Sequence, residues 1–171
     1  MPVKGKIVKT RYRLSKKDTK KLFREISAQL GGEVLEKLSS FTSIEKVETR
    51  LNFLIYLFEG KPILMEQNNV LFPTVLYAGL FKEVLPVVIV DMGAVPHVVN
   101  GADVMAPGIR SISKPFNENA TVLVADEEKQ RIFCVGLALM SSDRIFSEKR
   151  GRAIKNLHHV KDKMWDFFLS L

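Results

Sequence analysis

Cysteine is almost absent from this chain, since Cys134 is the only one among its 171 residues. A single cysteine excludes an internal disulfide bond. Together with only three histidines, it also makes a zinc site unexpected, because structural zinc needs a full set of Cys and His ligands. We therefore expect a protein of a reducing, intracellular compartment, the cytoplasm, with no metal and no other cofactor.

Long apolar runs and familiar catalytic motifs are also missing. No stretch approaches the roughly 20 apolar residues of a membrane-spanning helix, and the basic N-terminus lacks the apolar core of a signal peptide. The sequence has no GxxxxGKS/T phosphate loop, no GxGxxG fingerprint, no GxSxG elbow and no HExxH pair. We therefore expect no membrane association and no enzymatic activity.

Positive charge is concentrated in two segments of the sequence. Residues 1–24 contain ten Lys or Arg and one acid, and residues 144–163 contain seven basic residues and two acids. Because the net charge of the whole chain is only +7, the remainder is acidic. If the fold brings the two segments together, they form a phosphate-binding face on an acidic body.

The first half of the chain has the pattern of an α+β domain. Alternation over residues 6–13 predicts a strand with its basic side chains on one side, namely Lys9, Arg11 and Arg13. Ser15 and Asp18 have the spacing of a capping box, and the helix after them carries lysines outside its apolar stripe. These lysines either belong to the phosphate-binding face or are simply solvated.

The rest of this half predicts a second short helix over residues 33–39, more strands and a further helix. The strands are expected over residues 44–50, 51–59 and 62–66. A helix is predicted to begin at residues 72–74, because Pro73 suits a first helical turn. Pro86 ends this part, so we predict two domains, 1–85 and 86–171. No Ser- or Gly-rich linker separates them, and we expect them to pack closely.

The second half is organised around residues 87–109, VVIVDMGAVPHVVNGADVMAPGI. Val87–Val90 predicts a buried strand, and Asp91 is placed to cap a short helix. That helix should end at Asn100-Gly101, because glycine tolerates positive φ. A second strand is predicted over residues 102–105. The loop at Gly101 is therefore expected to expose its backbone amides.

A hairpin, a strand and a terminal helix are predicted after this stretch. The hairpin joins residues 120–126 and 132–140, with Cys134 as a small core side chain. Simple alternation in the strand over 152–160 would divide its side chains between two faces. One face would hold Arg152, Ile154, Asn156 and His158, and the other Ala153, Lys155, Leu157 and His159. The aromatic side of the helix over 161–171 is expected to dock on the second domain.

Several stretches resemble a known family. DMGAVPHVVNGADVMAPGI, ATVLVADEEKQRIFCVGLALMSSDRI and GRAIKNLHHVKDKMW are similar to the PUA domain, and specifically to an archaeal-type member of the translation-associated family of malignant T-cell-amplified sequence and ligatin. FPTVLYAGLF resembles the N-terminal domain of that family. The resemblance implies an α+β fold, in which an N-terminal α+β domain is packed against a C-terminal PUA pseudo-barrel, a mixed β-barrel with short helices.

The resemblance also implies an RNA-binding surface. In PUA domains RNA lies against the glycine loop and the strand after it, with further contacts near the last strand. On this sequence, those positions are Asn100, Gly101, Ala102, Asp103, Arg110, Arg152, Lys155 and His158. The basic strand of the first half adds Lys9, Arg11 and Arg13.

Three of these residues have an alternative interpretation. Asp103 either accepts a hydrogen bond from a base or faces away from the RNA. His158 either stacks or forms hydrogen bonds with RNA, or has a structural role. Gly101 could serve only as a helix cap, a role that is compatible with RNA contact.

By resemblance, the protein is a non-catalytic RNA-binding protein that acts on ribosomal or transfer RNA in translation initiation or ribosome recycling. The partners implied are RNA and the small ribosomal subunit, with a possible protein partner that resembles density-regulated protein. Two alternatives stay open: a protein-interaction adaptor, and an accessory RNA-binding subunit of an RNA-modification enzyme.

Overall fold

The computed structural model describes residues 7–171, so Lys6 of the predicted first strand lies outside the described residues. The chain divides into two compact units. The first ends at Tyr77 and also includes Phe167–Leu171, and the second is Ala78–Asp166. Each unit has its own sheet and helices, which confirms the predicted α+β class. The domain boundary placed at residues 85/86 stays a prediction.

The first unit contains a five-stranded antiparallel sheet in the order β1-β2-β3-β4-β5. Its elements are β1 (Val8–Arg13), α1 (Lys16–Leu30), α2 (Gly32–Leu38), β2 (Ile44–Thr49), β3 (Leu54–Phe58), β4 (Lys61–Gln67) and β5 (Val70–Pro73). Ser15 caps α1 as predicted, because its Oγ accepts a hydrogen bond from the Asp18 amide at 3.0 Å. The apolar stripe of α1, including Leu22 and Ile26, is buried.

The helix expected from residues 72–74 begins later than predicted. Pro73 lies in β5, where it pairs with Leu64. Since β5 is an edge strand, the missing N–H of proline removes no hydrogen bond from a neighbouring strand. A 3₁₀ helix, Val75–Phe81, follows this strand. Proline at a strand edge and proline in a first helical turn are compatible with the same sequence, which explains the error.

The second unit contains a six-stranded sheet in the order β7-β11-β10-β9-β6-β8. Its elements are β6 (Val87–Val90), α3 (Val95–Val99), β7 (Val104–Met105), β8 (Ile109–Ile112), β9 (Thr121–Asp126), β10 (Ile132–Ala138), α4 (Ser142–Glu148) and β11 (Arg152–His159). β6 runs parallel to β9, and the other pairs are antiparallel. The predicted hairpin, β9–β10, is confirmed.

The edge strands β7 and β8 are joined by a single 3₁₀ turn, Ala106–Gly108. In a flat six-stranded sheet the two edges would be roughly 24 Å apart. A connection of this length spans about 14 Å at most, even when fully extended. The sheet must therefore curl until its edges approach each other, which is the geometry of a pseudo-barrel. Val88, Val90 and Val124 fill its interior.

Cys134 belongs to this core and is fully buried. Burial, together with the charges of Asp162 and Asp103, raises the pKa of its thiol. The thiol is therefore protonated and unreactive at neutral pH. Cys134 is a small core side chain, as the sequence predicts.

The terminal helix α5 (Lys163–Ser170) differs from the prediction. Phe167 and Phe168 pack edge-on against Phe53, with ring centroids 6.0 and 6.4 Å from it. All three rings belong to the first unit, so the aromatic side chains at the end of this helix complete the core of that unit. In residues 7–171, no helix has both the length and the apolar character needed to span a bilayer.

Candidate nucleic-acid interface

The loop that joins α3 to β7 carries four of the predicted site residues, and its backbone is tightly held. Asp91 Oδ1 accepts a hydrogen bond from the Ala94 amide at 2.8 Å, but this bond closes the turn that precedes α3. The N-cap of α3 is Ala94 and no side chain caps it, so the prediction that Asp91 caps the helix is wrong. Gly101 has φ +98°, which confirms the predicted left-handed end of the helix. Only His159 Nε2, at 3.8 Å, would lie near a Cβ added to Gly101, so one side of this residue is open.

The amides of this loop are not available to a ligand, contrary to the prediction. The Gly101 amide donates to the Val98 carbonyl (2.9 Å) and the Ala102 amide to the His97 carbonyl (3.0 Å). The Asn100 amide also donates to carbonyls of α3. These bonds satisfy the free carbonyls at the end of the helix, as such caps generally do. A nucleic acid can therefore approach this loop closely and contact its remaining polar groups. The amides of residues 100–102 are not free to bind a phosphate.

Asp103 links the loop to β11. Its Oδ2 accepts a hydrogen bond from Arg152 Nη1 at 3.1 Å, and its Oδ1 accepts one from the Asn156 amide at 2.9 Å. Asn156 Nδ2 donates to the carbonyls of Val98 (2.9 Å) and Ala102 (3.0 Å). Asp103 and Asn156 therefore fix the loop against the last strand and hold the Arg152 guanidinium beside it. Asn156 was not among the predicted site residues.

Two β-bulges alter the alternation of β11. The first lies at Ala153, because Arg152 pairs with Met105 and Ile154 with Val104. It makes Ala153 and Ile154 consecutive buried residues and leaves both Arg152 and Lys155 exposed. The prediction that Arg152 and Lys155 point to opposite faces is therefore wrong. Because of the bulge, the side chains of Arg152 and Lys155 are both exposed to solvent, although they are three residues apart.

The second bulge decides the positions of the two adjacent histidines. Val135 pairs with His158 and Gly136 with Asn156, so Leu157 is the extra residue. His158 is 0% exposed, and its Nδ1 lies 2.7 Å from Asp162 Oδ2. A side chain buried in this way cannot contact RNA directly, which favours the structural alternative for His158.

His159, rather than His158, lies next to the glycine loop. Its ring is partly exposed, and its Nδ1 donates to the Val160 carbonyl at 2.8 Å. This bond requires the hydrogen on Nδ1, so Nε2 of the neutral ring is an acceptor, on the side of Gly101. His159 is a candidate site residue that the sequence-based interpretation missed, because the bulge that positions it has no signature in the alternation.

Asp162 ties β11 to α5. Its carboxylate accepts hydrogen bonds from the His159 amide (2.9 Å) and the Trp165 amide (2.7 Å), in addition to its contact with His158. Burial alone would raise the pKa of Asp162, but the hydrogen bond and charge of His158, together with the two amides, lower it below its ordinary value. The carboxylate is therefore ionised and holds His158 in the core.

Arg110 belongs to a different cluster. Its guanidinium lies 3.4 Å from Glu127 Oε2 and 3.8 Å from Asp91 Oδ2. Glu127 Oε1 also accepts a hydrogen bond from the Met92 amide at 3.3 Å. The charge of Arg110 is thus shared with Asp91, which follows β6, and with Glu127 of the β9–β10 turn. In the part of the chain that the structure describes, no hydrogen bond or ion pair links Arg110 to the other predicted site residues.

The predicted basic strand is β1, an edge strand of the first unit. Lys9 and Arg13 are exposed. Arg11 forms a double hydrogen bond with Glu45, Nε to Oε1 at 3.2 Å and Nη2 to Oε2 at 3.0 Å, which raises the pKa of the guanidinium. Among residues 7–171, Lys9 and Arg13 form no ion pair, so they are the residues of this set whose positive charge is not engaged there by a carboxylate.

The arrangement around Gly101 suits an elongated anionic ligand. It combines an exposed strip of small residues at 101–102 with two exposed cations, Arg152 and Lys155. Within residues 7–171, no group of three or more His, Cys, Asp or Glu side chains could hold a metal ion. Cations beside an open backbone strip bind phosphates and fix the position of a nucleic-acid strand.

Comparisons with known proteins agree with this fold. The PUA domain matches residues 86–160, and a domain of unknown function (DUF1947) matches residues 10–79. An uncharacterized protein of Methanocaldococcus jannaschii is 36% identical over 163 residues, which are 94% of this chain and 98% of that protein. A crystal structure of a hypothetical protein from Pyrococcus horikoshii is 35% identical, with a TM-score of 0.78, and the match covers 92% of this chain and 98% of that one.

Two eukaryotic relatives carry functional names. Translation machinery-associated protein 20 of Saccharomyces cerevisiae is 28% identical over 138 residues, 77% of this chain and 76% of that protein. Malignant T-cell-amplified sequence 1-A of Xenopus laevis is 32% identical over 103 residues, 58% of this chain and 57% of that protein.

Fold and site together define a protein of two α+β units whose second unit contains a PUA domain. The chain belongs to the PUA-domain family that includes Translation machinery-associated protein 20 and the Malignant T-cell-amplified sequence proteins, and the predicted family is confirmed.

Proposed function

We propose that this protein binds RNA without catalysing a reaction on it, and that it acts in translation. The observation that carries the proposal is the Gly101 loop, held open beside Arg152 and Lys155 by Asp103 and Asn156. This geometry supplies positive charge and close approach, which are the physical requirements for binding a sugar-phosphate strand. The PUA match and the names of the relatives support the same class.

The RNA is ribosomal or transfer RNA, and the site of action is the small ribosomal subunit during initiation or recycling in the cytoplasm. Asn100, Gly101 and Ala102 line the path of the strand, and Arg152 and Lys155 contact its phosphates. His159 Nε2 is an acceptor beside that path, suited to a ribose hydroxyl or a base amino group. A second contact surface is formed by Lys9 and Arg13.

The test is co-sedimentation of the full chain with small ribosomal subunits at several salt concentrations. Charge reversal by Arg152→Glu with Lys155→Glu adds repulsion as well as removing attraction, so we expect it to abolish binding. The matched control is Lys129→Glu with Arg131→Glu in the β9–β10 turn, which makes the same change in net charge at two positions that are also exposed. If the Arg152→Glu, Lys155→Glu variant sediments with the subunits as the control does, the proposed RNA-binding site is wrong.

The two alternative classes predict other results. An adaptor would bind naked RNA poorly and would lose a protein companion, for instance one resembling density-regulated protein, in pull-downs when the first unit is altered. A subunit of a modification enzyme would leave a modification missing from total RNA of a deletion strain. Crosslinking followed by sequencing of the bound RNA identifies the ligand if neither of these results is obtained.

A further inference from the structure

A polar cleft lies between α1 and the sheet of the first unit. Its volume is about 350 Å³, within the roughly 300–1,000 Å³ typical of small-molecule sites. The second half of α1 is clamped to the sheet, because Gln29 accepts a hydrogen bond from the Leu71 amide at 2.8 Å. Earlier in the helix, polar side chains line the cleft instead, and these are Asp18, Lys21 and Glu25.

The floor of the cleft consists of three side chains at paired positions on three neighbouring strands. Tyr12 of β1 pairs with Lys46 of β2, and Lys46 pairs with Tyr56 of β3. Directly opposed residues in antiparallel strands point to the same face, so these three side chains lie side by side under α1. Tyr56 is buried, whereas Tyr12 is 42% exposed. The cleft therefore has an aromatic surface that a planar ligand can reach.

Carboxylates supply the hydrogen-bond acceptors of the cleft. Glu66 Oε2 accepts a hydrogen bond from the Tyr56 hydroxyl at 3.3 Å. Burial and then the charges of Glu66 and Glu25 raise the pKa of Tyr56, so this phenol remains a donor and both carboxylates lie near it. Among residues 7–171, Glu25 has no hydrogen-bonded or ionic partner for its carboxylate. Lys21 and Lys46 likewise form no ion pair in that part of the chain.

These groups select a ligand by its chemistry. An accessible aromatic face favours a planar ring. Ionised carboxylates can only accept hydrogen bonds, so that ring must present N–H donors. The described residues hold no cluster able to bind a metal ion, and two lysines lie among the three carboxylates that line the cleft. Lys21 and Lys46 suit a phosphate attached to the ring, which makes the ligand a nucleotide.

Guanine is the base that fits best. Its N1–H and N2 amino group form a continuous donor edge. In adenine and cytosine the amino group adjoins an acceptor nitrogen, which a carboxylate repels, and in uracil two carbonyls flank the single N–H. We propose that this cleft binds an unpaired guanine, stacked on Tyr12, with its donor edge toward Glu25 and Glu66 and its phosphate toward Lys21 and Lys46.

This second site rests on the proposed function only for the choice of RNA as the source of the base.

Its test uses the full chain titrated with the 5′ monophosphates of guanosine, inosine, adenosine, cytidine and uridine, followed by calorimetry and by amide chemical shifts. We expect shifts around the cleft with guanosine monophosphate. Inosine monophosphate, which lacks the amino group, should bind several-fold more weakly, and the other three roughly tenfold more weakly.

Substitutions in the cleft distinguish stacking of guanine on Tyr12 from recognition of its N–H donor edge by the carboxylates. Tyr12→Ala should weaken guanosine monophosphate binding about tenfold, and Tyr12→Trp should preserve it, because both tyrosine and tryptophan stack on a base. Glu66→Gln should lower the affinity for guanosine monophosphate and reduce its preference over adenosine monophosphate. The matched control is Glu36→Gln on α2, which makes the same charge change at an exposed position outside the cleft. It should bind like the parent chain.

Several results would overturn the proposal. They are equal affinity for all five nucleotides, shifts that map outside the cleft, and no binding at millimolar concentration. The Arg152→Glu, Lys155→Glu protein distinguishes the two hypotheses. It should lose RNA but keep guanosine monophosphate if both are correct. Loss of ribosome binding together with intact nucleotide selectivity supports both sites, and normal ribosome binding with intact selectivity contradicts only the PUA-domain site.

Discussion

Asp103 uses both of its carboxylate oxygens inside the protein. One accepts from Arg152 and the other from the Asn156 amide. Of the two roles considered for Asp103, the geometry favours support of the site over direct contact with a base. The side chain of Arg152 remains 68% exposed, so its pairing with Asp103 orients the guanidinium without removing it from solvent. Such an exposed pair contributes little to stability, typically about 0–1 kcal/mol.

Gly101 gives the first prediction at the scale of a residue. We expect Gly101→Val to destabilise the second unit by about 1 kcal/mol or more, because a β-branched residue is strained at φ +98°. The added side chain would also project beside His159, into the proposed RNA path. Thermal unfolding measures the first effect, and fluorescence anisotropy with labelled RNA measures the second. A folded variant with normal RNA affinity would show that Gly101 is only a helix cap.

Asp162 gives a prediction about pH. Its pKa in the folded protein lies below the ordinary value of 3.8, so the stabilisation it provides is present above that value and is lost as the pH falls through the folded-state pKa. Asp162→Asn keeps a side chain that can cap α5 but removes the charge facing His158. We expect a loss of about 1–3 kcal/mol at neutral pH.

Denaturant unfolding of both proteins from pH 7 to pH 2 tests this prediction. The difference in unfolding free energy between parent and variant should shrink as the solution becomes acidic, because the parent carboxylate is then protonated. A difference that stays constant over this range would mean that the charge of Asp162 does not contribute to stability.

At the scale of secondary structure, caps and hairpins could be predicted and bulges could not. The cap at Ser15, the strand at Val87–Val90 and the β9–β10 hairpin follow from local residue preferences, which act over a few positions. A bulge depends instead on how two strands fit together in the folded sheet. The family resemblance, applied to β11 without its bulges, therefore pointed to His158, whereas the folded strand places His159 beside the loop.

Gly136 allows β10 and β11 to approach closely beside the bulge. A Cβ at Gly136 would lie 2.8 Å from the Lys155 carbonyl oxygen and would also overlap the Ile154 side chain. We therefore expect Gly136→Ala to destabilise the protein by about 1–3 kcal/mol, as for other over-packed core sites, and to reduce RNA affinity by displacing Lys155. Gly32→Ala is a suitable control, because nothing lies within 4 Å of its added Cβ and its φ is not left-handed.

Urea denaturation and RNA titration of both glycine variants provide the measurement. Gly32 lies in α2, where alanine has the better helix propensity, so its substitution should leave stability unchanged or slightly raised. Equal stabilities for the two variants would show that strands β10 and β11 can separate to accommodate a methyl group.

At the scale of the whole molecule, the two basic segments predict how binding responds to salt. Each phosphate contact to a single strand adds about 0.7 to the slope of log affinity against log salt. Lys9→Ala with Arg13→Ala should therefore make the slope less steep by about 1.4 if both residues contact phosphates. Arg11→Ala should change it less, because its guanidinium is already engaged by Glu45. Anisotropy titrations at several potassium chloride concentrations give the three slopes. An unchanged slope for the double variant would show that Lys9 and Arg13 belong to solvated surface and do not contact phosphates.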